Sequence, residues 1–186
     1  MANKKVITEI IVVAIILFVI TAVAAGILAV VNNFTAPVIA ENDRIAQEQA
    51  MKAVLPEATE FTKEEITPDA ESIVSEVYKS DAGYAVRVAP NGYGGAISMI
   101  VGVDNDLKVT GVEIISQSET AGLGAKCTTE EFKAQFVGKT ENIAVSKNGA
   151  KDNEIDAISS ATITSKATAK GVNEAISIVK EIKEGE

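Results

Sequence analysis

The densest group of reactive side chains lies in the run Asp156-Ala-Ile-Ser159-Ser160-Ala161-Thr162-Ile163-Thr164-Ser165. Five hydroxyls fall within seven residues there, just ahead of a stretch with helical periodicity. Hydroxyls so placed suit two chemistries. They cap a helix, because Ser and Thr oxygens accept its first unpaired N–H groups. They also help hold an anion, because those N–H groups and the positive end of the helix dipole favour phosphate. One cap uses one hydroxyl and an anion site would use the surplus. Pattern alone leaves both open, with capping the commoner.

A second segment, Ser118-Glu119-Thr120-Ala121-Gly122-Leu123-Gly124, carries two glycines spaced by one. Glycines in such a loop let backbone approach a flat ligand closely or adopt positive φ. The plainer alternative is a strand-to-helix connection. The Gly92-Tyr93-Gly94-Gly95 loop is weaker still: turn chemistry that can also stand beside a ligand.

Composition removes several classes of chemistry. The chain has 186 residues, no histidine, one cysteine and a formal charge of −9. Without histidine there is no His-based zinc site and no Ser-His-Asp or Cys-His catalysis. Cys127 can form no internal disulfide and cannot supply the usual four thiolates of an iron–sulfur cluster. Its plain reading is a small, half-buried apolar residue. If this chain moves electrons, the redox group is organic or belongs to a neighbour. The excess of acid also argues against nucleic acid as a partner, since phosphate backbones call for clustered Lys and Arg.

The elements that must position these residues begin with an anchor. No charged residue occurs from Ile10 to Val31. At about 1.5 Å per residue this run reaches roughly 33 Å, enough to cross a hydrocarbon core of about 30 Å. It reads as a single transmembrane helix behind a short N-terminus, residues 1–9. Lys4 and Lys5 precede it, so the N-terminus is expected in the cytoplasm and the remainder outside. A cleaved signal peptide is the rival, with Ala22-Val23-Ala24 resembling a cleavage site. The apolar run, however, outlasts the usual 7–15-residue signal core.

Residues 32–71 read as a helical connector. Thr35 is the expected N-cap, Pro37 lies in the first turn, and Leu55-Pro56 ends the helix. Residues 57–71, with Pro68, read as an acidic irregular link. Residues 72–186 form the remaining domain. Strands are expected at Ser72–Lys79, Tyr84–Ala89, Ala96–Val103 and Leu107–Ile115, with turns between them. Thr128-Thr129-Glu130-Glu131 offers a capping box for a helix to about Phe136. Ile143–Ser146 and Ile155–Ile158 are candidate short strands. A last helix runs from Thr164 or Ser165 to Lys183, with Val172, Ala175, Ile176, Val179 and Ile182 on one face. The class is α+β: a mostly antiparallel sheet with packed helices.

The run SSATITS resembles the S/T-G-A-T-x-T/S flavinylation motif of the FMN-binding domain family of RnfG and NqrC. The former belongs to the Rnf ion-translocating ferredoxin:NAD oxidoreductase and the latter to the sodium-translocating NADH:quinone reductase. QSETAGLG is similar to the family's H-x-E-T-P-G-L-G loop. The anchor, the GYGG turn before the third strand, this loop and the C-terminal motif follow the family's order over nearly the whole chain. Ser160 stands where the family has glycine, Gln117 where histidine is common and Ala121 where proline is common.

The resemblance implies one covalent FMN, its phosphate esterified to Thr162 by a flavin transferase. It implies phosphate contacts from Ser159, Ser160, Ala161 and Thr164, and a ring lying against Glu119, Thr120, Gly122, Leu123 and Gly124. It implies an electron-relay subunit of a membrane-bound, ion-translocating complex, with the other subunits as partners and no substrate turnover of its own. The short chain favours the Rnf branch of the family over the NADH:quinone reductase branch. Two further alternatives are an anchored flavin-dependent sensor and an assembly subunit without cofactor, in which the hydroxyls merely cap a helix.

Overall fold

A computed structural model describes residues 2–66 and 72–185, with side chains from Val6 onward. The expected link at Pro68 therefore lies outside the described residues. The chain divides into two compact units, Met1–Arg44 and Ile45–Glu186.

Helix α1 spans Ala2–Val54. Its apolar side chains from Val6 to Ile39 are exposed throughout, including Phe18 and Leu28. Among the described helices, α1 alone is long and apolar enough to cross a membrane. A surface of that kind is stable only in an apolar surrounding. The expected helix start at Thr35 is corrected. Thr35 lies within α1, and its hydroxyl donates to the Val31 carbonyl one turn earlier, at 2.8 Å. That back-bond satisfies the hydroxyl without ending the helix.

The second unit is built on a five-stranded antiparallel meander, β1 (Thr62–Glu64), β2 (Val74–Lys79), β3 (Gly83–Val88), β4 (Ser98–Asp104) and β5 (Val109–Ser116), in spatial order 1-2-3-4-5. Four of these match the expected strands within about two residues. The fifth, β1, arises inside the link expected to be irregular, where Thr62 pairs with Lys79 and Glu64 with Val77. Three residues carry too little alternation to declare a strand, so the pairing with β2 is what makes one.

Both faces of the sheet are covered. On one face lie Ala50, Met51, Val54 and Leu55, packed on Ala85 and Ile100. Gln47 in the same stretch donates to Glu76 and Tyr78 and accepts from Arg87, at 2.7–2.9 Å. On the other face, Val77, Val86, Met99 and Val101 meet α3 (Thr162–Gly185) through Val172, Ala175, Ile176 and Val179. Each fully buried Val or Ile there contributes about 1.5–3 kcal/mol. Cover on both faces explains why β3 and β4 are buried almost continuously rather than alternately.

Between β5 and α3 the chain makes a 3₁₀ turn at Gly124–Thr128, a short helix α2 (Glu130–Lys133) and a second 3₁₀ turn at Ala134–Phe136. The expected capping box does not form. Thr129 occupies the cap position, but its hydroxyl donates back to the Lys126 carbonyl at 2.8 Å. The two candidate short strands are present as β6 (Ala144–Ser146) and β7 (Glu154–Asp156), and they pair with each other in parallel.

Candidate functional site

Helix α3 starts at Thr162, two or three residues before its expected start. The turn ahead of it is closed by the Ala161 N–H on the Ile158 carbonyl at 2.9 Å, and the Ser165 N–H then reaches the Ala161 carbonyl at 3.1 Å. N–H groups of a first helical turn have no acceptor within the helix. Those of Thr162, Ile163 and Thr164 belong to that turn. Ser160 completes the entry with φ +62°, in the left-handed region that favours glycine. This is the position at which the flavinylation motif carries glycine.

The five hydroxyls sort by burial and bonding. Ser165 is fully buried; its oxygen accepts from the Ile158 N–H at 2.9 Å and donates to the Ala161 carbonyl at 3.0 Å. Thr164 is 1% exposed and donates to Glu119 Oε2 at 2.5 Å. Ser159 and Ser160 are exposed. Thr162 is half-buried, and its side chain lines a cleft of about 510 Å³. That volume falls within the roughly 300–1,000 Å³ of small-molecule sites.

The opposite wall comes from the loop after β5 and from the Gly92–Gly95 turn. Glu119, Thr120, Leu123 and Gly124 line it, together with Tyr93; from the α3 side come Ser160, Ala161, Thr162, Ile163 and Thr164. The fold thus brings eight of the ten expected site residues to one cleft. Gly122 does not line it; its contribution is a φ of +77°, which turns the loop. Ser159 faces a smaller neighbouring depression with Lys126, Thr129 and Gln135. Ile163 was not expected, and Tyr93 only through the loop that could stand beside a ligand. Tyr93 is 74% exposed, Ile163 55% and Leu123 42%, so three apolar groups stand open at the cleft. The GYGG turn was the only sign of Tyr93 in the sequence, and nothing marked Ile163.

Glu119 holds the walls together. Its Oε1 accepts from the Gly94 N–H at 2.8 Å, its Oε2 from the Thr164 hydroxyl, and its own N–H donates to Gln117 Oε1 at 2.5 Å. A Cβ on Gly124 would overlap Glu119 Oε2 and come to 2.7 Å from Thr164 Oγ1; one on Gly92 would overlap Glu119 Oε1. At Gly124 this carboxylate makes a tight approach to the backbone.

Cys127 is fully buried beside the site. Burial, and after it the Glu119 carboxylate, push its thiol up to about 11. It stays protonated at neutral pH and is no nucleophile. Among the described residues no cluster of acids and cysteine could hold a metal ion.

The cleft's donors suit FMN. Residues of the first turn of α3, Thr162 among them, line the cleft, and a helix start favours phosphate. Tyr93, Leu123 and Ile163 offer apolar surface to a flat ring.

Residues 92–177 match the FMN-binding domain family, and residues 1–54 match the RnfG N-terminal region. The chain is 40% identical to the RnfG subunit of the Na+-translocating ferredoxin:NAD+ oxidoreductase complex of Acetobacterium woodii, over 90% of each chain. The chain belongs to the RnfG family of ion-translocating oxidoreductase complexes. A second relative, the RnfG subunit of the proton-translocating complex of Clostridium ljungdahlii, is 35% identical over 81% of this chain and 80% of its own. The family therefore includes members of both sodium and proton complexes. Among solved structures, the NqrC subunit of the Na+-translocating NADH-quinone reductase from Parabacteroides distasonis aligns with a TM-score of 0.57 at 22% identity, covering 74% of this chain and 89% of its own. That likeness shows a shared fold.

Proposed function

We propose that this chain is the FMN-carrying RnfG subunit of a membrane-bound, ion-translocating ferredoxin:NAD oxidoreductase complex, relaying electrons through FMN esterified to Thr162. The observation that carries the reading is the sorting of hydroxyls at the start of α3. Thr164 and Ser165 have theirs bonded into the protein, whereas Thr162 is half-buried at the cleft and its hydroxyl bonds no described residue.

FMN supplies the redox chemistry; the protein positions it and tunes its surroundings. Thr162 holds the phosphate end at the start of α3, with the first-turn N–H groups and Ser160 at hand. Tyr93, Leu123 and Ile163 shield a ring from water on the apolar side. An ester keeps the cofactor from being lost on the outer face of the membrane. The chain has no histidine, and its one thiol stays protonated, so this subunit passes electrons on without turning over a substrate itself. Its partners are the other subunits of the complex, and a flavin transferase during maturation. Helix α1 anchors it as a single-pass membrane protein, with Lys4 and Lys5 keeping the N-terminus in the cytoplasm.

The test is the intact mass of the full chain produced alongside a flavin transferase. The expected gain is that of FMN less water, with flavin fluorescence surviving a denaturing gel. Thr162→Ala loses both signals and Thr164→Ala keeps them. Wild-type protein showing neither would end the covalent reading.

A further inference from the structure

Glu119 is 9% exposed, and among the described residues neither a lysine nor an arginine lines its cleft. Its hydrogen bonds run to the Gly94 N–H and the Thr164 hydroxyl, both donors to its two oxygens. A buried carboxylate without a cation is costly to keep. Three glycines nonetheless leave space around it or its neighbour: a Cβ on Gly92 or Gly124 would strike Glu119, and one on Gly94 would strike the Ser118 carbonyl. Two loops are thus shaped to bring a carboxylate against one hydroxyl of the α3 cluster, only two residues from Thr162.

We propose that Glu119 is the positioning residue that decides which threonine becomes the FMN ester. The inference rests on the ester reading above and adds the rule of selection. The carboxylate does two things at Thr164. It takes the hydroxyl proton into a buried bond, and it places negative charge where an incoming phosphate would have to sit. Like charges at such range repel strongly away from water. The Thr162 hydroxyl is bonded to no carboxylate among the described residues, and the helix dipole attracts the same phosphate.

The transfer balances with a flavin nucleotide whose FMN phosphate forms half of a pyrophosphate. The Thr162 Oγ–P bond forms, the pyrophosphate P–O bond breaks, and the hydroxyl proton leaves with the displaced nucleoside monophosphate. No electrons change hands.

The experiment uses the full chain, co-produced with a flavin transferase, and locates FMN by tandem mass spectrometry on the peptide ending at Lys166. Wild-type protein carries FMN at Thr162 alone, and Thr162→Ala carries none. The double variant Thr162→Ala/Glu119→Gln, in which a neutral amide replaces the carboxylate, gains FMN at Thr164, at least tenfold above the detection background that Thr162→Ala gives. A role confined to holding the fold would lower yield without moving the label. If the double variant stays unlabelled while Glu119→Gln alone is labelled at Thr162, the transferase makes the choice and the proposal is wrong. Loss of label from a folded Glu119→Gln single variant overturns it too, because Glu119 would then be needed for attachment itself. Unlabelled wild-type protein overturns the ester reading and the selection with it. If Glu119→Gln does not accumulate folded, Glu119→Ala, which removes both the charge and the bond to Thr164, replaces it in the double variant with the same expectation.

Discussion

Replacing Ser160 with glycine should make the protein more stable, although it removes a side chain. Ser160 enters α3 at φ +62°, is exposed, and its hydroxyl has no partner among the described residues. The left-handed conformation costs a residue with a Cβ about 1–2 kcal/mol. Glycine relieves that strain but loses about 0.4–1 kcal/mol through the greater freedom of its unfolded chain. The net gain is roughly 0.5–1 kcal/mol, or about 2–3 °C in Tm for a domain of this size. All three tyrosines, Tyr78, Tyr84 and Tyr93, lie in the second unit, and the chain has no tryptophan. Near-ultraviolet circular dichroism of the detergent-solubilised full chain therefore follows that unit with little contribution from the membrane helix. Ser160→Ala is the control: it removes the hydroxyl and keeps the strain, so Tm should stay nearly unchanged. A lower Tm for Ser160→Gly, or an equal rise for Ser160→Ala, would refute backbone strain as the cause.

Other consequences concern the loops and the buried thiol. Gly94→Ala places a Cβ against the Ser118 carbonyl oxygen and disturbs the N–H bond to Glu119, so it should destabilise by about 2–3 kcal/mol in urea unfolding. Equal stability would mean that the two loops separate without cost. Cys127 has its thiol raised from 9.0 to about 11, so the unfolded chain ionises first as pH rises. The stability it confers is complete below about pH 9 and declines towards pH 11, by on the order of 2 kcal/mol. Urea midpoints against pH would show that fall, and Cys127→Ala should flatten it.

Elements whose signal is local are legible from residue order alone. An uncharged run as long as Ile10–Val31 has few other readings, because burying so much apolar surface requires lipid or a large protein core. The strands alternate or run apolar between turn residues, and the last helix shows its buried face at Val172, Ile176 and Val179. Features that depend on which of several possible partners a group takes are not legible in this way. β1 is a strand only because β2 lies beside it. Thr35 and Thr129 have the chemistry of caps, but in each case a nearby carbonyl claims the hydroxyl. Tyr93 reaches the cleft across the fold from a turn that otherwise looks ordinary.

The hydroxyl cluster divides in the same way. Its composition and its place before a helix are properties of the sequence, and they suit either a cap or an anion. The motif's resemblance to a flavinylation site adds Thr162 as the expected acceptor. Only the tertiary structure decides what each hydroxyl is free to do. Ser165 is sealed into the turn by Ile158 and Ala161, and Thr164 is bound to a carboxylate 45 residues earlier. Contacts across that separation leave no trace in local periodicity, because they depend on where the sheet places the loop after β5. The same holds for Gly124: its lack of a side chain is plain in the sequence, while the reason for it, space for Glu119 against Thr164, exists only once the loops are folded together.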